Sequence, residues 1–152
     1  MPDKNPTEIL KKEHEKVLSI LDRLEIDIKN KDTALMKKEI VILEREFNKH
    51  SLNKEEKALF PEIEKFMPRE GGPTGMMIIE HKDLTESIGN FNLAIKTKNL
   101  DKLEGVGNHI ITLLREHINK ENNMLFMMAE MHLDDKQKRI IIKKFKEIDL
   151  KK

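Results

Sequence analysis

Four histidines set the frame for this chain. His14 and His50 lie 36 residues apart, His81 and His117 lie 36 residues apart, and the second pair follows the first by 67 residues. Their neighbours repeat as well. Glu13-His14 returns as Glu80-His81, and the run from Asn53 to Phe60 (NKEEKALF) returns from Asn119 to Phe126 (NKENNMLF). A chain built twice from one helical unit must bury the same stripe of each copy against the other. Matched His and Glu on that stripe put nitrogen and oxygen donors between the copies, which is the pattern of a metal site.

Length and composition fit that frame. The 152 residues suit one domain spanning 1–152, long enough to bury a core. Lys, Glu, Leu and Ile dominate, and Trp and Tyr are missing, a mixture expected of helices with charged outer faces. A net charge of +1 with both signs interspersed argues against nucleic acid or a membrane as partner. The lysines near the C-terminus read as a solvated helix face. Zero cysteines exclude disulfides, thiolate nucleophiles, iron–sulfur clusters and Cys-held zinc, so any metal is held by nitrogen and oxygen. With neither a signal-like apolar region nor a membrane-length apolar run, a cytoplasmic location is the expectation.

Apolar spacing divides the chain into five helices. Pro6-Thr7-Glu8 opens the first, with Asn5 or Thr7 as its cap. Leu10, His14, Val17, Leu21, Leu24 and Ile28 follow in steps of 4, 3, 4, 3 and 4, so His14 belongs to the buried stripe. A second helix, from Asp32-Thr33, carries Met36, Ile40, Leu43, Phe47 and His50 at the same steps. Beyond His50 the phase slips by one residue, since Glu55 would stand roughly 140° round a regular helix from His50. One inserted residue, a π-bulge between His50 and Glu55, restores alignment. It turns Glu55, Leu59 and Phe66 inward and leaves Ile63 at the margin, with Pro61 kinking or ending the helix.

The loop Gly71-Gly72-Pro73-Thr74-Gly75 precedes a third helix with Met77, His81, Leu84, Ile88, Phe91 and Ile95 on one face. Asp101 signals a fourth, whose inner face is Val106, Ile110, Leu113, His117 and Glu121, with Met124 and Met128 beyond. A last helix near Asp134 to Asp149, with Ile141, Phe145 and Ile148 on one side, caps the structure. The predicted fold class is all-α: an up-down-up-down four-helix bundle over 7–131 with an additional C-terminal helix over 134–149. Each histidine lies about 15–18 residues from its hairpin turn, which sets all four at one height. The middle connection balances less evenly, so the Gly-rich loop must climb back along the bundle.

A lone histidine on an apolar stripe is ordinarily a core residue with satisfied hydrogen bonds. Four at one height, joined by two carboxylates, are different, because burying an unpaired carboxylate is costly and a bound cation removes that cost. His14, His50, His81, His117, Glu55 and Glu121 are too many donors for one ion. Two ions take two histidines each and share the carboxylates. Imidazole with carboxylate suits iron, manganese or zinc, and positions left open suit redox iron. Glu55 is chosen because the repeat aligns it with Glu121; Glu46, four residues before His50, is the alternative. His117 and Glu121 form an i, i+4 chelating pair. Other metal and nucleophile signatures fail. No His has Glu three residues before it, as ferritin-like sites require, His14-Glu15 lacks the second His of a zincin, and Ser19, Ser51 and Ser87 stand in no hydrolase motif.

In these residues the chain resembles the hemerythrin-like, or HHE cation-binding, family of four-helix non-haem di-iron proteins, over residues 7–131. Leu59-Phe60-Pro61 looks like its bacterial and archaeal branch. The resemblance implies His14, His50, Glu55, His81, His117 and Glu121 as ligands of two Fe ions, with Zn or Mn as substitutes and both glutamates bridging. Oxygen-carrying hemerythrins have a second His one turn before the third-helix ligand, where this chain has Met77. That leaves a balanced two-plus-two set with an additional open position, which invites peroxide, nitric oxide or further oxidation.

His109 and His132 read as peripheral. Met124, Met127, Met128 and Met131 read as adaptable core filler, with copper binding as the weaker reading. The expected function is binding of O2 or a related diatomic such as NO for sensing, storage or detoxification. The alternatives are a di-iron enzyme acting on peroxide or nitric oxide, and an iron-sensing or regulatory module.

Overall fold

The side chain of Asn5 accepts the Thr7 N–H and Pro6 takes a first-turn position, where a missing N–H costs nothing. From there α1 (Pro6–Lys29) runs to a tight turn. Asp32 caps α2 (Thr33–Phe47) by accepting the Leu35 N–H. This helix continues unbroken into a π-helix, π1 (Asn48–Leu59), and a last α-turn, α3 (Phe60–Ile63). Gly72 and Pro73 open α4 (Pro73–Lys96), and Asn99 caps α5 (Leu100–Lys120). A second π segment, π2 (Glu121–Leu125), leads into α6 (Phe126–His132). A capping box of Asp134 and Gln137 starts α7 (Asp135–Leu150). This is a computed structural model, and it describes residues 5–151.

The duplication is visible in the backbone. Pro6 and Pro73 each stand eight residues before a histidine, and the two hairpin turns place Lys31 (φ 55°) and Lys98 (φ 54°) in the same left-handed conformation. Between these turns α1 packs on α2 and α5, and α4 packs on the same two, closing a four-sided bundle. α7 lies across π1. The buried apolar residues form two separate groups. One contains Val17, Leu21, Leu43, Leu84, Phe91 and Ile110. The other contains Leu10, Leu59, Phe60, Met77 and Phe126, closed over by Ile141 and Phe145 of α7. Fully burying side chains of that size stabilises by roughly 1.5–3 kcal/mol each, which fixes α7 as a lid on the bundle end. Among the described residues, no helix is long and apolar enough to cross a membrane.

Helix order, caps and the inward stripes of α1 and α2 agree with expectation, and four details differ. The irregularity after His50 is twelve residues of π-helix, not a single bulge, and it turns Ile63 fully inward while Phe66 is only partly covered. α5 is rotated so that Leu103, Ile111 and Leu114 are buried and Val106 and Leu113 flank them. Met124, Met127 and Met131 are not core filler, being 61%, 55% and 73% exposed, whereas Met128 packs half-buried against the second apolar group. The cause is π2. Its wider turn swings Met124 outward and brings Leu125, Phe126 and Ala129 into the core. The Gly-rich segment is shorter as a loop than expected, because Pro73, Thr74 and Gly75 already belong to α4.

Candidate metal centre

α1, α4 and α5 contribute one histidine each to the layer between the two apolar groups, π1 contributes both His50 and Glu55, and π2 contributes Glu121. All six side chains are buried, Glu55, His81 and Glu121 completely. The Nε2 atoms of His14 and His50 are 3.0 Å apart, and those of His81 and His117 are 3.1 Å apart. The carboxylates lie between the pairs. Glu55 Oε2 is 3.0 Å from His50 Nε2, while its Oε1 is 3.1 Å from His81 Nε2. Glu121 Oε1 is 3.0 Å from His14 Nε2, while its Oε2 is 3.3 Å from His117 Nε2. Two overlapping donor groups result: His14, His50, Glu55 and Glu121 on one side, and Glu55, His81, His117 and Glu121 on the other. Each could hold a metal ion, and the two glutamates are common to both.

The other ring nitrogens are all engaged. His50 Nδ1 meets Glu13 Oε1 at 2.9 Å, His117 Nδ1 meets Glu80 Oε1 at 2.7 Å, and His81 Nδ1 meets Glu56 Oε2 at 2.6 Å. His14 Nδ1 meets Asn122 Oδ1 at 2.7 Å. An acceptor at Nδ1 places the proton there and turns the Nε2 lone pair inward, the tautomer that a metal-binding imidazole needs. Lys54 pairs with Glu13 and Lys120 with Glu80, so these two carboxylates are held in turn. Phe126 stacks on His14 and Phe60 on His81 at interplanar angles of 9° and 7°, fixing ring planes as well as donors.

The electrostatics of this layer favour positive charge at its centre. Burial alone would depress the imidazole pKa values, but at His50 the Glu55 charge, aided by Glu13 and Glu121, overrides it and raises the value to about 10. At His117 burial is overridden mainly by Glu121, and the result is again about 10. His81 reaches about 8, burial being outweighed by Glu55 and Glu56. Burial pushes Glu121 up, yet the surrounding imidazoles, His117 first, hold it well below the ordinary carboxylate range. Glu55 Oε1 and Glu121 Oε2 are buried with no hydrogen-bond partner, a costly state for an anionic oxygen. Two orphaned oxygens facing imidazole nitrogens fit a pair of divalent cations held by nitrogen and oxygen.

The structure therefore brings together all six residues singled out from the spacing. Glu46, the alternative to Glu55, points away and pairs with Lys16 at 2.8 Å. His109 pairs with Asp83 on the surface, and His132 is exposed beside Phe66. Sequence reasoning did not assign Glu13, Glu56, Glu80, Asn122, Phe60 or Phe126 a place around the site. The signal was present, because each falls within the repeat, but their role depends on which helix each one faces.

Comparison with curated proteins gives no significant match. The family model described as the Hemerythrin HHE cation binding domain matches residues 5–129. With most of the chain covered and the donors gathered in one buried layer, the chain belongs to the hemerythrin HHE cation-binding domain family.

Proposed function

We propose that the chain holds two iron ions, one in each donor group, and binds O2 or a related diatomic such as NO for sensing, storage or detoxification. The observation that carries this reading is the sharing of Glu55 and Glu121 between two His pairs. His14 and His50 would hold one ion and His81 and His117 the other, with Glu55 and Glu121 available to both. Ferrous ions, when bound, supply the electrons that a diatomic ligand accepts. The protein's part is to keep the six donors fixed. Its Glu and Asn partners hold each Nδ1 proton, and the phenyl rings of Phe60 and Phe126 shield the imidazole faces from water. A cavity of about 10 Å³ bordered by His14, Phe47, His50, His117 and Glu121 is at the threshold for one water-sized guest, which selects for very small ligands. The site residues, the iron and a cytoplasmic location stand together in this reading, with no nucleic acid or membrane partner.

Metal analysis should give two irons per chain. Anaerobic reduction followed by air or NO should produce a visible absorption band, and a colourless protein under both conditions would refute gas binding at iron.

A second reading is favoured by Met77, which is buried one turn before His81 and supplies no nitrogen there. The position left open suits an enzyme that turns over peroxide or nitric oxide. Repeated turnover, abolished in His117→Ala, would distinguish this from stoichiometric binding.

A further inference from the structure

Asn122 breaks the twofold pattern of the site, and we propose that it makes the two metal positions unequal. The ion between His81 and His117 binds first and more tightly; the ion between His14 and His50 binds second. The inference rests on the two-metal reading above and adds the order in which the positions fill.

The argument compares equivalent places in the two copies. Glu13 and Glu80 occupy one such place, each accepting the Nδ1 proton of the second histidine of its own copy, at 2.9 and 2.7 Å. Glu56 and Asn122 occupy the other, 66 residues apart in the repeat. Each reaches across to the first histidine of the opposite copy: Glu56 to His81 at 2.6 Å, Asn122 to His14 at 2.7 Å. Place and geometry match, but one acceptor carries a full negative charge and the other is a neutral amide. A carboxylate behind an imidazole raises the basicity of its free nitrogen and adds attraction for a cation in a site of low dielectric. An amide oxygen orients the ring without that charge.

Everything else near the two pairs cancels or nearly so. Glu55 and Glu121 face both pairs, and Phe60 and Phe126 stack alike on His81 and His14. Lys54 is more buried than Lys120, but Asp149 pairs with it at 2.8 Å and with Lys49 at 3.1 Å, so Glu13, Lys54, Asp149 and Lys49 sum to no net charge, as Glu80 and Lys120 do. The carboxylate behind His81, absent behind His14, is the difference that remains. Loss of such a partner typically costs about 10–100-fold in metal affinity, so the two positions should differ by roughly tenfold or more.

Zinc tests this, being diamagnetic and redox-silent, so the readout is independent of any activity. Metal-free protein with 15N-labelled histidine is titrated with zinc while the imidazole Nε2 signals, assigned from single His→Gln variants, are followed by NMR. The first equivalent should shift His81 and His117, and the second His14 and His50. Asn122→Asp, an isosteric change that supplies the missing charge, should make both pairs fill together. Glu56→Gln, which leaves an amide behind both first histidines, should do the same with weaker binding of the first ion. Parallel filling in the unaltered protein, or filling of His14 and His50 first, would overturn the proposal. So would an order unchanged in Glu56→Gln, the variant that decides if Asn122→Asp fails to fold by circular dichroism. Binding of fewer than two zinc ions by the unaltered protein would instead refute the two-metal reading, and this inference with it.

Discussion

In the proposed centre a proton and a metal ion would compete for one lone pair at His50 and another at His117. Both imidazoles have folded-state values near 10, raised from 6.5, so at neutral pH the metal-free protein carries protons that binding must expel. Affinity should therefore rise with pH from 7 towards 10. Calorimetry in buffers of different ionisation enthalpy should register proton release on metal binding; heats independent of the buffer would contradict it. The sign reverses for the metal-free fold. A raised histidine value contributes stability that is complete below 6.5 and is lost as pH climbs through about 8 at His81 and about 10 at His50 and His117. Thermal denaturation of the metal-free protein should show a falling midpoint across that window. Glu121→Ala strands the charge on His117, and breaking a buried pair in this way typically costs about 3–5 kcal/mol, to be read from chemical denaturation. At this scale the donors were legible because repeated His and Glu need only be counted. Their partners were not, since Glu13 serves His50 on another helix, while the repeat shows Glu13 only beside His14.

Element by element, legibility followed helical regularity. The stripe from Leu10 to Ile28 holds its 3.6-residue period, and those residues are buried where the spacing put them. In π1 and π2 the period itself changes, so counting by α-turns misplaced Ile63 and Phe66 and turned Met124 inward. A phase slip was visible after His50 because Glu55 had to be aligned with Glu121. After Glu121 no chemical landmark demanded correction, and the second irregularity passed unnoticed. Two glycines of α5 test the packing. A methyl group at Gly105 meets nothing within 4 Å, whereas at Gly107 it comes within 2.5 Å of Ile28 Cδ1 and 3.0 Å of Phe91 Cε1. Gly105→Ala should stabilise by about 0.5–1 kcal/mol through helix propensity alone. Gly107→Ala should lose that gain and more to overpacking, costing about 1 kcal/mol or more. Denaturant midpoints of the two variants should move in opposite directions.

For the molecule as a whole, the polar layer separates two apolar groups that would otherwise be one continuous core. A metal held there would tie together all four sides of the bundle, so it should act as a folding ligand. At a free metal concentration about a thousand times the dissociation constant, the gain should approach 4 kcal/mol. A chelator should lower the melting temperature correspondingly, and an unchanged melt would show the layer to be indifferent to metal. The four-helix arrangement was legible because duplication fixes it. The attachment of α7 to the site was not, because nothing in its amphipathic pattern links Asp149 to a lysine in π1. Asp149→Asn should weaken metal binding by less than the roughly 10–100-fold expected for a direct histidine partner, measured by zinc calorimetry.

That attachment gives the tail of the molecule a hold on its interior. Asp149 grips Lys54, Lys54 grips Glu13, and Glu13 steadies the ring of His50. Pulling the last turn of α7 aside, whether by a fused tag or a docked neighbour, would slacken the ring of His50 through three charged links without touching it, and with it the grip of the proposed centre on an ion.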